Sequence, residues 1–197
     1  MADTPTKYKI FIASPGGLQD IRTAFRDVID EHNRADAKHR GVEFEAVGWE
    51  DTLPGIGRPQ AKINKDVKTS HYFVMVLHDR WGTPPDTEGK FTSGTEEEFH
   101  IARECYADDD APMREIVPLF KGVPTGQLAD PGKELKKVLK LRKRLEREKK
   151  FLYGTFDSVE EFKTTLRELL AKWIRDHESG APPAAASGGP LLPTSPA

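Results

Sequence analysis

Short apolar runs that alternate with stretches of helical period constrain this chain more than any other feature. Residues 7–13 (KYKIFIA), 72–77 (YFVMVL) and 115–120 (EIVPLF) read as strands, and the first and second of these are apolar enough to be covered on both faces. Residues 42–48 alternate instead, with Val42, Phe44 and Ala46 set against Glu43 and Glu45. Between the first two runs a helix is expected from about Leu18 to Asn33, because Ile21, Phe25, Val28 and Ile29 fall at i, i+4, i+7 and i+8. Pro59 suits the first turn of a short helix that keeps Ile63 and Val67 on one side. The segment SGTEEEFHIARECYA lines up Phe99, Ala102 and Tyr106, and residues 132–150 form a long charged helix. Phe151 to Phe156 adds a short extended segment. A last helix opens at Ser158 with Glu161 three residues on, a capping box, and turns Phe162, Leu166, Leu169, Leu170, Trp173 and Ile174 inward.

This order, strand and helix in alternation with one extra basic helix, predicts an α/β fold with a parallel sheet and helices on both faces. Right-handed crossovers leave few topologies, and the flavodoxin-like three-layer sandwich with strand order 2-1-3-4, or 2-1-3-4-5 with an edge strand, is the expectation. With 197 residues the chain holds one domain, placed at 7–176. Residues 177–197 are rich in Pro, Ala and Gly and read as a flexible linker or tail, as in a front-end module joined to something larger.

Composition removes several function classes. The single cysteine, Cys105, rules out an internal disulfide framework or a cysteine-based metal site and fits a reducing compartment. Six histidines show no metal-ligand spacing, so no metal site is expected. The N-terminus lacks an apolar signal-peptide core, and the apolar run at Tyr72–Leu77 is too short to span a bilayer. A cytoplasmic location without a membrane partner is the expectation. Net charge is −2, which does not point to a nucleic-acid coat. Residues 133–150 are the exception, with ten basic and three acidic side chains. That stripe suits nucleic acid or an acidic partner face, but few aromatics interleave for base stacking. A solvated helix with Leu135, Val138, Leu139, Leu141 and Leu145 turned inward is the favoured reading.

In an open parallel sheet, ligands sit beyond the carboxyl ends of the strands where strand order reverses. Three informative loops are expected there: SPGG at 14–17, GWEDTLPGIGR at 48–58 and HDRWGT at 78–83. Backbone N–H groups of Ser14, Pro15, Gly16 and Gly17, apart from the imino Pro15, lie ahead of a helix N-terminus that suits a phosphate, although SPGG also serves as a plain turn. Ser14 lies on no G-x-S-x-G elbow, so a serine hydrolase is unsupported. Trp81, beside Gly82, either stacks on a base or covers the rim of the core. Thr95 and Glu98 have the spacing of a capping box, and the pattern alone favours that role for Glu98, with Glu96 and Glu97 as solvated first-turn acids.

Taken together, KIFIASPGGLQDIR at 9–22, DVKTSHYFVMVLHDRWGT at 66–83, SGTEEEFHIA at 93–102 and the final SVEEFKTTLRELLAKWI resemble the TIR domain superfamily. The likeness spans about residues 7–176 and is nearest to a TIR-like domain-of-unknown-function family that often heads STAND-type or repeat proteins. Enzymatic TIR domains carry a catalytic glutamate at a position matched by Glu98 in Glu98-Phe99-His100-Ile101-Ala102. Nucleoside deoxyribosyltransferases look similar at Gly94, Thr95, Glu98 and Ala102. The resemblance therefore turns the reading of Glu98 from cap to catalyst. It implies NAD⁺ or a related nucleotide as substrate, with no other cofactor, and cleavage of the nicotinamide–ribose bond to linear or cyclic ADP-ribose. It also implies Ser14, Pro15, Gly16, Gly17, Trp49, Arg58, Arg80, Trp81 and Gly82 as pocket residues, with Arg58 or Arg80 neutralising a phosphate. Self-association completing the pocket through the 49–58 loop, a sensor module beyond the tail and an effector role in bacterial immunity are further implications. Two alternatives stand beside this: a non-catalytic oligomerisation domain, and a nucleoside or nucleotide N-glycosidase or transferase using the same Glu98.

Overall fold

The computed structural model describes residues 4–51, 58–85 and 89–180. Five strands form one parallel sheet: β1 (Thr6–Ala13), β2 (Val42–Gly48), β3 (Tyr72–Leu77), β4 (Glu115–Lys121) and β5 (Gly154–Phe156), in the order β2-β1-β3-β4-β5. This is the flavodoxin-like order, and Phe151–Phe156 does supply the fifth, edge strand. Around it lie α1 (Gln19–Ala35), α2 (Pro59–Lys68), α3 (Gly94–Tyr106), α4 (Thr125–Ala129), α5 (Lys133–Glu148) and α6 (Val159–Glu178). The sequence reading missed α4 and two single 3-10 turns, Ala37–Arg40 and Trp49–Asp51. All three are too short for an apolar period to show.

Side-chain alternation along the strands splits the interior into two layers. Tyr8, Ile10, Ile12, Tyr72, Val74 and Val76 face α1 and α6. Phe11, Ala13, Phe73, Met75 and Leu77 face α2, α3 and α5. Trp173 of α6 is fully buried, stacks on Tyr72 at 4.0 Å between centroids, and donates its indole N–H to Glu115 Oε2 at 2.7 Å. The indole thus fills the first layer while its polar atom is satisfied, which a buried tryptophan requires.

The α6 cap is as read from the sequence. Ser158 Oγ accepts the Glu161 N–H, and Glu161 Oε2 accepts the Asp157 N–H. The helix runs on to Glu178, two residues into the segment assigned to the tail, and residues 181–197 lie outside the described residues. Among the described residues no helix is long and apolar enough to cross a membrane.

Candidate active site at the carboxyl edge of the sheet

β1 and β3 are neighbours whose connections leave in opposite directions, so the switch point falls between them. A hollow of about 150 Å³ opens there, lined by Pro15, Gly16, Gly17 and Leu18 on one side and His78, Asp79 and Arg80 on the other. Gly17 has φ of +91°, so the loop turns through the left-handed region that glycine tolerates. The Arg80 guanidinium passes 3.8 Å from where a Cβ on Gly17 would stand, and Arg80 is exposed with no acidic partner among the described residues. Beneath the loop lies a residue the sequence reading missed. Arg22 is 4% exposed and donates to Ser14 Oγ at 3.1 Å, to the Pro15 carbonyl at 3.4 Å, to Gln19 Oε1 at 2.7 Å and to Glu50 Oε1 at 2.9 Å. Ser14 is buried and held by that arginine. Trp49 is exposed on the turn after β2, with the Arg22 guanidinium 5.6 Å from its ring centre.

Gly82 joins this hollow to the start of α3. Its φ is +97°, and a Cβ there would stand 3.3 Å from Pro15 Cβ and 3.5 Å from Ser93 Cβ. Glycine is required twice over, by backbone conformation and by close approach. The glutamates that follow differ from the sequence expectation. Ser93, not Thr95, caps α3: its hydroxyl accepts the Glu96 N–H at 3.1 Å, and Glu96 reaches back to Thr92 N at 2.8 Å. The cap starts two residues earlier than read, because Ser93 is the residue in extended conformation, and Thr95 already lies within the helix.

This shift releases Glu98 from capping. Its side chain is buried between α2 and α3, is 5% exposed, and accepts Gln60 Nε2–H at 3.0 Å through Oε1. Burial pushes its carboxyl up to about 8, partly offset by the Gln60 hydrogen bond and reinforced by the Glu97 charge. Glu97, taken as a solvated acid from the sequence, is equally buried but paired: Arg58 grips it at 2.8 and 2.7 Å, and Asn64 Nδ2 donates at 2.7 Å. The Arg58 guanidinium, followed by Asn64, holds that carboxyl below the usual range against the opposing effect of burial. Gln60 Nε2 also donates to Asn64 Oδ1 at 3.2 Å, so the two glutamates share one amide chain. A Cβ on Gly94 would meet Gln60 Oε1 at 2.8 Å, so Gly94 leaves the space the Gln60 amide fills.

The expected site residues therefore separate into groups. Pro15, Gly16, Gly17 and Arg80 line the hollow, Ser14 is buried beneath it on Arg22, Gly82 packs against Pro15, and Glu98, on α3, is not among the residues that line it. Arg58 is engaged with Glu97, which leaves Arg80 as the cation at the hollow. Trp81 does not open on the crevice: it is 5% exposed, packs in the second core layer and donates its indole N–H to Thr92 Oγ1 at 2.7 Å. It covers the core rim because the apolar side of α5 lies against it. Glu134 of α5 fastens the same loop, accepting the N–H groups of Trp81 and Gly82 at 3.1 and 3.2 Å. Residues 52–57 of the loop expected to receive a neighbouring protomer lie outside the described residues. Among the described residues, no three His, Cys, Asp or Glu side chains cluster as metal ligands.

The fold and site define an α/β protein of flavodoxin-like topology with a crevice at its switch point. The chain belongs to a family described as a domain of unknown function, DUF4062, whose model matches residues 9–171. A solved structure of general stress protein 14 from Treponema denticola, in complex with FMN, is similar at 13% identity and a TM-score of 0.38, over 87% of this chain and 98% of that one. A search of curated proteins found no match.

Proposed function

We propose that this domain is a TIR-like NAD⁺ glycohydrolase, with Glu98 as its catalytic carboxylate. The observation that carries the reading is the state of Glu98: buried, released from capping, and held by an amide, with no ion pair to a cation among the described residues. A carboxylate in that position is a ready partner for positive charge brought by a ligand. The nicotinamide ring of NAD⁺ is cationic and departs neutral, taking the electron pair of the C1′–N1 bond. No general acid is needed, whereas ordinary glycosidases need one to protonate the leaving oxygen. Glu98 would hold the ribose hydroxyls and stabilise the oxocarbenium charge developing at C1′. Water adding at C1′ gives ADP-ribose and releases one proton to solvent. An adenine ring nitrogen adding there gives the cyclic product instead.

The pyrophosphate fits the hollow, where the Gly16 and Gly17 backbone and Arg80 supply donors and charge at the start of α1. The proposal extends to self-association completing the pocket and to a cytoplasmic effector role in bacterial immunity, switched on by a partner module. The test is nicotinamide release from NAD⁺ by protein clustered on a support. Release that Glu98→Gln abolishes supports the enzyme, and this substitution leaves the Ser93 cap in place. No release at any degree of clustering leaves a docking module. Free base released from nucleosides, with NAD⁺ untouched, reassigns Glu98 to an N-glycosidase.

A further inference from the structure

The basic stretch of the sequence is a feature that the NAD⁺ reading does not absorb. α5, together with Trp81, Thr92 and Glu96, lines a groove of about 760 Å³. Its apolar lining comes from Trp81, Pro131, Leu139 and Leu141, and its rim includes Lys136, Lys140, Lys143 and Arg147. None of these four cations has an acidic partner among the described residues. The acid that lines the groove, Glu96, is already engaged by Thr92. A helix whose only role is to face water intersperses both signs and pairs them at i, i+4. On α5 such pairs take Lys137 with Glu134 at 3.8 Å, Arg142 with Glu146 at 3.3 Å and Arg144 with Glu148 at 3.8 Å, two of these cations also lining the groove, while Lys136, Lys140, Lys143 and Arg147 are left over on its rim. Positions 136, 140, 143 and 147 span three turns, about 16 Å of helix.

We propose that this groove docks an acidic amphipathic helix of a partner protein, with apolar side chains of that helix seated against the half-buried Pro131 and Leu139 and carboxylates on the lysine rim. Charge complementarity selects the occupant. Residues 181–197 carry no acidic side chain, so this chain's own C-terminal segment does not complement the rim. Single-stranded nucleic acid is the weaker fit, because base stacking needs an open aromatic face and Trp81 is 5% exposed. An apolar trough with a charged border is the geometry by which grooves take amphipathic helices at i, i+3, i+4 and i+7.

The experiment uses the full chain and fluorescence anisotropy with three probes. One is a labelled 14-residue-class helical peptide with leucines at i, i+4 and i+7 and glutamates elsewhere; one carries serines for the leucines; one is an oligo-dT strand. The leucine peptide is expected to bind, with at least about tenfold loss on leucine-to-serine replacement and on the double reversal Lys140→Glu with Lys143→Glu. Lys136→Glu with Arg147→Glu repeats the test should the first pair disturb folding by circular dichroism. Equal binding of the serine peptide, tighter binding of oligo-dT, or no peptide binding at millimolar concentration overturns the proposal. So does a concentration-dependent dimer of the chain that either double reversal dissolves, which assigns the groove to a second copy. NAD⁺ cleavage is not read in any arm, so failure here is separate from failure of the proposed activity.

Discussion

Two regions at the carboxyl edge of the sheet, the β1–β3 flank and the α2–α3 flank, are built on opposite principles. On the β1–β3 flank the chain presents backbone, glycines and an exposed arginine, all groups that water satisfies at no cost to the fold. On the α2–α3 flank it buries two adjacent glutamates and treats them differently. Glu97 receives a bidentate arginine and an amide, and Glu98 receives only an amide. Neighbouring acids whose environments push their ionisation apart are the pattern from which acid–base roles are read. The open flank is suited to holding a charged ligand; the buried flank holds an acid away from its own ionisation preference. Such a group is a cost that packing alone does not explain.

The largest test of that contrast is Glu98→Gln. In the proposed enzyme it should lower nicotinamide release by about 10²–10³-fold, the scale of losing a stabiliser of transition-state charge. In the same protein stability should rise. The folded-state carboxyl titrates near 8 against 4.5 for an ordinary glutamate, so between those pH values the folded state holds a proton the unfolded state has lost. Stability therefore falls as pH climbs through that window, and is fully present below it. At pH 7 the neutral glutamine removes a penalty on the order of 2–3 kcal/mol. Urea unfolding of both proteins at pH 5 and pH 7 checks this: the gain should be present at pH 7 and nearly absent at pH 5. The activity should follow the opposite limb, rising with pH toward about 8 as the carboxylate forms. A flat profile from pH 6 to 9 would detach Glu98 from the chemistry.

Gly82→Ala is next in size, and it strikes the joint between the flanks. A Cβ there demands a positive φ from alanine and crowds Pro15 at 3.3 Å. A cost of about 1–3 kcal/mol is expected, read as a drop in melting temperature. The two arginines then separate the flanks from each other. Arg58→Gln leaves Glu97 buried without its cation. Breaking a fully buried pair costs about 3–5 kcal/mol. About 1–2 kcal/mol is expected here, since the Arg58 side chain is 35% exposed and water moderates the loss. Arg80→Gln should leave melting unchanged and raise KM for NAD⁺ by roughly tenfold, as for a charge that touches only ligand.

The sheet order was legible because β1, β3 and β4 are apolar runs, β2 alternates cleanly, and right-handed crossovers leave few alternatives for the short edge strand β5. The site was legible in part, and the missing part follows one rule. Gln60 shares a helical stripe with Ile63 and Val67, Glu98 with Ala102 and Cys105, and Arg22 with Phe25 and Ile29. In each case a polar side chain occupies a position where the period demands an apolar one, and in each case it is buried at the carboxyl edge of the sheet. Reading only the apolar members of a stripe passes over Gln60 and Arg22, and Glu98 is picked out by the family resemblance and not by its stripe. What sequence cannot supply is which hydroxyl residue begins the α3 helix. Ser93 and Thr95 both satisfy capping chemistry, and the structure puts Ser93 in the extended N-cap conformation, with the Gly94 N–H on the Thr83 carbonyl at 3.2 Å. That placement leaves Glu98 a buried acid and not a cap.

The smallest predicted effect tests whether the open flank is truly held from outside. Glu134 lies on α5, yet its Oε2 is the acceptor for the Trp81 and Gly82 N–H groups, and Gly82 contacts Pro15 of the glycine loop. The Glu134 side chain is 47% exposed, so its two charge-assisted hydrogen bonds compete with water. Glu134→Gln should cost less than about 1 kcal/mol, with little change in melting temperature. Its mark is local: amide exchange at Trp81 and Gly82 should speed up by a few-fold to tenfold, while amides of Tyr72 to Leu77 in the central strand stay unchanged. Exchange that accelerates along the whole of β3 would mean the carboxylate supports the sheet itself. Exchange unchanged at both loop amides would mean the glycine at 82, by its own conformation and packing, holds the crevice wall unaided.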